Sequence, residues 1–176
     1  MYNEFFEEMQ SGMLPFIDAK TYGRSPVECS SFIASSAFVD PANHGRGFLP
    51  RLSGSTAEFL SIWSLMFIGQ SPFFINYETG LVEMQLKPVL PSWLILEDKF
   101  AHKQGQRYYV EFKLFTSIKV TYFIEERKHL FRVIPKKYEI GLRDGSIRRV
   151  DRPVIPNDLA LMVRRVVQID HINVFL

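Results

Sequence analysis

Several residue classes are scarce in this chain, and each scarcity excludes something. There is one cysteine, Cys29, in 176 residues. A single thiol cannot close a disulfide within the chain, so a disulfide-stapled secreted scaffold is excluded and a reducing compartment is expected. The chain has four histidines. None has a second His or Cys at metal-ligand spacing, so no metal site is expected. The formal net charge is only +2. That is too small to argue for nucleic acid, and the basic residues of the C-terminal half lie beside acidic ones. Long apolar runs are missing too. The longest, near residues 62–68, falls far below membrane-spanning length. The first residues, Met1-Tyr2-Asn3-Glu4-Phe5-Phe6-Glu7-Glu8, have no basic segment followed by an apolar one, so they do not read as a signal peptide. A soluble cytoplasmic protein with no membrane or nucleic-acid partner is the expectation.

What is abundant is apolar and aromatic. Hydrophobic residues make up 47%, with 16 Phe and 7 Tyr. This is enough to bury a core, and it suits either a β-sandwich interior or a sugar-binding cleft.

The pattern changes near Gly69. Before it, apolar spacing is helical or loop-like. Residues 4–10 read as a short amphipathic helix with Phe5, Phe6 and Met9 on one face. Ser25-Pro26-Val27-Glu28 is a helix-start signal, predicting a helix to about residue 37. Ser53 or Ser55 caps a further helix. Phe59, Leu60, Ile62, Trp63, Leu65, Met66 and Phe67 make that helix apolar nearly all round, which predicts burial. After Gly69 the pattern is short, β-rich and punctuated by turns. Residues 73–77 and 81–86 read as a hairpin closed by Glu78-Thr79-Gly80. Further strands are expected over 93–96, 108–115, 117–123, 129–134, 138–142 and 167–175. Arg143-Asp144-Gly145-Ser146 reads as a turn, and a short helix follows Pro156-Asn157-Asp158. In the strand over 117–123, Ile118, Val120 and Tyr122 alternate with Lys119 and Thr121, so one face is expected to be solvated.

The segment Leu52-Ser53-Gly54-Ser55-Thr56-Ala57-Glu58 opens the apolar helix. The first N–H groups of a helix lack partners, and the helix dipole adds partial positive charge there. Gly54 allows close approach to the backbone. The hydroxyls of Ser53, Ser55 and Thr56 add donors, and Arg46 and Arg51 add charge nearby. Two readings stand: an ordinary N-cap, or a phosphate-sized anion site. Glu28 likewise reads as a capping carboxylate or as a ligand for a sugar hydroxyl. His44 reads as an exposed loop residue and Cys29 as a buried, inert thiol. Asp40 and Glu58 form a carboxylate pair only on paper, since nothing fixes their separation.

A longer pattern joins these pieces. The run Tyr22-Gly23-Arg24-Ser25-Pro26-Val27-Glu28-Cys29-Ser30-Ser31-Phe32-Ile33-Ala34-Ser35-Ser36, then His44-Gly45-Arg46-Gly47-Phe48, then Arg51-Leu52-Ser53-Gly54-Ser55-Thr56-Ala57-Glu58, resembles the C-terminal region of glycoside hydrolase family 94. That family contains the inverting cellobiose, chitobiose and 1,2-β-oligoglucan phosphorylases, and the wording is closest to the oligoglucan branch. The resemblance covers residues 1–123; residues 136–176 match only in their order of hairpin, short helix and last strand.

The resemblance implies an α+β chain: terminal helices of a partial (α/α)6 barrel over residues 1–70, then a jelly-roll-like antiparallel β module over 71–176. It implies phosphorolysis of β-glucosides to a sugar 1-phosphate, with inorganic phosphate as co-substrate and no other cofactor. Ser53 and Gly54 fall on the pair that contacts phosphate, and Glu28 falls on a sugar-binding Glu. The residues after Glu28 depart from the Pro-Tyr pattern of the cellobiose enzymes. The family's acid catalyst and its main phosphate-binding Arg and His lie upstream of the matched region, so no catalytic residue is assigned here. The implied partners are a β-glucan or disaccharide and a missing N-terminal barrel region or second subunit, without which the chain is expected to be inactive. A different function, a non-catalytic carbohydrate-binding module, is suggested by Trp93, Tyr108, Tyr109 and Tyr122. A degenerate remnant would expose Phe59, Trp63 and Phe67.

Overall fold

A computed structural model describes residues 1–12, 18–25, 28–51, 54–97 and 108–176. The chain is α+β, with few helices and mainly antiparallel sheets. It divides into two compact units, Met1–Ser64 and Leu65–Leu176.

The first unit opens with α1 (Tyr2–Gly12), longer at both ends than its apolar spacing suggests. Phe6 and Met9, three residues apart, are buried, while Phe5 stays 43% exposed. A single turn, α2 (Ala19–Tyr22), is capped by Asp18, whose carboxylate accepts from Lys20 N and Thr21 N, and ends at Gly23 in the left-handed region. The helix expected to run from Ser25 to residue 37 is replaced by a strand, β1 (Cys29–Ile33). It pairs antiparallel with β2 (Gly47–Arg51), with Phe32 opposite Phe48 and Ser30 opposite Pro50. Serine is a weak helix former, and the Phe32 and Phe48 rings stack at 5.4 Å across the pair. The cross-strand contact therefore outweighs the capping signature. Between the strands, Asp40 caps a 3-10 turn (Pro41–Asn43).

Helix α3 (Gly54–Phe67) follows β2. Phe59, Met66 and Phe67 are buried, but Leu60, Trp63 and Leu65 are 49%, 37% and 46% exposed. The expectation of burial all round is thus corrected: some of the apolar side chains are covered and others are open.

The second unit takes in the last turn of α3. A hairpin, β3 (Phe73–Ile75) and β4 (Val82–Met84), turns through Gly80 at φ 68°, a left-handed position that glycine adopts freely. A 3-10 turn (Ser92–Leu94) stands where a strand over 93–96 was expected, leaving only the short β5 (Leu96–Glu97). The sheet continues with β6 (Tyr108–Leu114), β7 (Ile118–Ile124), β8 (Lys137–Leu142) and β9 (Ile147–Val150). Helix α4 (Asn157–Arg165) then leads into β10 (Ile169–Phe175). The strand expected over 129–134 is absent; only Leu130 bridges, to Leu90.

The order across the six-stranded sheet is β5-β6-β7-β10-β8-β9. All pairs are antiparallel except β7 with β10, which run parallel. One face is the core, where Ile118, Val120, Tyr122, Tyr138, Ile140 and Ile172 are fully buried. Two buried tyrosines tie other segments to that face. Tyr122 OH donates to Phe67 O at 2.5 Å, and Tyr138 OH donates to Pro153 O at 3.0 Å while accepting from Leu86 N at 3.4 Å. Burial raises both phenols above the ordinary tyrosine range. α4 lies against β4 and buries Leu159, Ala160 and Val163.

Candidate functional site

The residues singled out by sequence fall mostly in the first unit. Gly54 is the first residue of α3. Ser53 lies outside the described residues. Glu28 is exposed in a bend just before β1, not in a helix, so it caps nothing. Its backbone is well held: Glu28 N donates to Ser25 O at 2.9 Å, and its carbonyl accepts from Tyr22 OH at 2.9 Å.

That bond belongs to a lock around Tyr22, which is 2% exposed. Its hydroxyl also lies 2.8 Å from Ser30 Oγ and accepts from Ser30 N at 3.0 Å. Gly47 makes the room: a Cβ there would sit 2.3 Å from both the Tyr22 ring and Ser30 Oγ. Arg24 Nε donates to the Gly47 carbonyl at 2.9 Å. A tyrosine, a serine, an arginine and a glycine thus fix the β1–β2 ribbon and, with it, the backbone beside Glu28.

Other candidates are committed elsewhere. The Asp40 carboxylate accepts from Ala42 N at 3.0 Å and from Asn43 Nδ2 at 2.7 Å, a turn-capping role. His44 is half-buried, with Nε2 2.8 Å from Phe38 O. Among the described residues no cluster of His, Cys, Asp and Glu is placed to hold a metal ion. Of the aromatics considered for sugar stacking, Tyr122 is fully buried in the core and cannot face a ligand, while Trp93, Tyr108 and Tyr109 are half-buried.

A second surface, in the second unit, was only partly visible in the sequence. It is the sheet face opposite the core. Register places Glu111 beside Thr121, Thr121 beside Asn173, Asn173 beside Glu139 and Glu139 beside Arg149. Neighbouring strands lie about 4.8 Å apart, so these five side chains form one straight polar row across β6, β7, β10, β8 and β9. On one side of it Tyr109, Phe123 and Phe175 are likewise in register. The Phe123 and Phe175 rings stack at 5.2 Å, and Lys137 Nζ lies 4.3 Å above Phe175. On the other side Lys119, His171 and Gly141 are neighbours. The His171 ring lies on the Gly141 backbone, where an added Cβ would come within 2.1 Å of it.

This face bounds a shallow cavity of about 600 Å³ that reaches Thr121, Asn173, Phe123 and His171. Charges along it are matched: Lys119 Nζ is 2.8 Å from Glu111 and Arg149 Nε is 3.4 Å from Glu139. His171 Nδ1 lies 2.9 Å from Asp170 Oδ2. The sequence signal was partial, since alternation in β7 marked a second face; its pairing with β10 was not readable.

No protein-family model matches this chain, and no curated protein sequence matches it. No described helix is long and apolar enough to cross a membrane.

Proposed function

We propose that the chain is the C-terminal portion of an inverting β-glucoside phosphorylase, in which the start of α3 contacts the attacking phosphate. The observation that carries the reading is that α3 begins at Gly54, three residues beyond the end of β2. A 14-residue helix carries partial positive charge at its first turn, which favours an anion there. This is the point where the resemblance to glycoside hydrolase family 94 assigns phosphate to Ser53 and Gly54. Glu28, exposed on a braced backbone, is assigned to a sugar hydroxyl in the same reading.

In this reading a phosphate oxygen attacks the anomeric carbon as the glycosidic C–O bond breaks. A carboxylic acid protonates the departing sugar oxygen, and inversion gives an α-sugar 1-phosphate. The acid is supplied by a barrel segment or second subunit, and α3 is a late helix of that (α/α)6 barrel. The β-rich unit is the jelly-roll-like module. The exposed apolar side chains of α3, Leu60, Trp63 and Leu65, support this, since exposed apolar surface calls for a cover. A cytoplasmic location goes with the reading.

The test is formation of sugar 1-phosphate from β-gluco-oligosaccharides and inorganic phosphate. The chain alone is expected to give none, and the chain reconstituted with a family barrel segment is expected to give turnover. Ser53→Ala with Gly54→Ala then raises the KM for phosphate about tenfold or more. Unchanged phosphate dependence in the double variant removes the assignment.

A further inference from the structure

We propose that the outer face of the six-stranded sheet is a binding site for a neutral saccharide chain, held by Thr121, Asn173 and His171 beside the Phe123 ring. It shares no residue with the phosphate reading and does not depend on it.

The first observation is an unsatisfied pair. Thr121 is only 4% exposed, yet its side chain has no hydrogen-bond partner among the described residues. It lines the cavity of about 600 Å³. Its neighbour in register, Asn173, lines the same cavity, and its amide is also without a protein partner among the described residues. Buried polar groups are nearly always bonded, and a hydroxyl next to an amide offers three donors and several acceptor lone pairs to whatever enters. A ligand with groups that both donate and accept, such as a row of hydroxyls, matches that set.

The second observation is charge. Glu111 is matched by Lys119 and Glu139 by Arg149, so the row favours neither an anion nor a cation. The third is shape. The polar row is bordered by the Phe123–Phe175 stack, with Phe123 half-buried and facing the cavity. A pyranose ring has an apolar C–H face and a rim of hydroxyls, so it can lie on Phe123 while its rim meets Asn173 and Thr121. A peptide backbone would meet the amide and hydroxyl equally well, but it gains most from an open sheet edge, and this surface is a face. The fourth is positioning. Gly141 leaves the His171 ring flat against β8, and Asp170 bonds Nδ1, so Nε2 is the ring nitrogen left for a ligand.

The experiment uses the full chain and NMR titration with cellotetraose, with inorganic phosphate and an uncharged extended peptide as parallel probes. Saturable shifts are expected at the Asn173 side-chain amide, the Thr121 methyl group and the His171 ring with cellotetraose alone. Thr121→Val and Asn173→Ala each weaken binding about tenfold, the effect of removing one buried hydrogen-bond partner. Gly141→Ala, which displaces His171, weakens it as well; the two former variants keep the result interpretable if this one unfolds. Absence of saturation at tens of millimolar sugar (on the order of the weakest specific binding) overturns the proposal. So does saturation that is unchanged in Thr121→Val and Asn173→Ala, or a response to the peptide or phosphate instead.

Discussion

In the second unit, Ile118, Val120, Ile140, Ile172 and Val174 are fully buried on one face of the sheet, on β7, β8 and β10. Among the described residues of the first, the large buried side chains are Phe6, Met9, Tyr22 and Phe59, while Phe32, Phe38, Leu49 and Leu60 are each more than 40% exposed. One unit rests on a continuous apolar layer, the other on a local lock around Tyr22 and Gly47. A layer distributes stabilisation over many contacts, so it tolerates the loss of a surface residue but responds strongly to a cavity. A lock concentrates stabilisation in a few close contacts, so a single methyl group can open it.

The largest expected effect is in the layer. Ile172→Ala should lower the stability of the second unit by about 4 kcal/mol, read from denaturant unfolding, whereas Phe32→Ala in the first unit should hardly shift that transition. Equal effects of the two would end the distinction.

Alkaline pH sharpens the contrast next. Tyr122 and Tyr138 both have raised pKa values in the folded chain, through burial. In the unfolded chain a tyrosine ionises near pH 10. Stability from these groups is therefore complete below about pH 10 and falls as pH rises through the interval up to their raised folded values, by about 1.4 kcal/mol per pH unit for each. A spectrophotometric titration should show two of the seven tyrosines ionising only as the second unit unfolds.

The smallest effect, and the most local, is Gly47→Ala. Its new methyl group meets the Tyr22 ring and Ser30, costing about 1–3 kcal/mol in the first unit. Limited proteolysis should then cut within residues 29–51 while the second unit's transition stays in place. A shift of both transitions would show that the lock is not local.

The second unit was largely legible in the sequence and the first was not, for one reason. Alternating runs such as Ile118-Lys119-Val120-Thr121-Tyr122 state their own conformation, and β6, β7, β8, β10 and α4 all stand near their expected places. The β1–β2 ribbon carries a misleading local signal. Ser25-Pro26-Val27-Glu28 matches a helix start, but the deciding contacts come from Phe48, Gly47 and Tyr22, distant in sequence. Helix α3 was located correctly, yet its burial depended on what covers Leu60 and Trp63, which apolar content does not specify. Of the candidate site, Gly54 at a helix start was readable, and Glu28 as a helix cap was not sustained. Of the outer-face row only the alternation in β7 was readable, because Thr121 and Asn173 meet only through the parallel pairing of β7 with β10.

That pairing also sets a schedule for synthesis. β10 is the last of the six strands to leave the ribosome, yet it lies between β7 and β8. The β5-β6-β7 meander and the β8–β9 hairpin are therefore finished while β7 and β8 each still present an unpaired edge. Until residues 169–175 emerge, the nascent chain carries two exposed edges that a neighbouring polypeptide on the same message can zip onto. The final strand closes both edges together, so the hazard ends in a single late event.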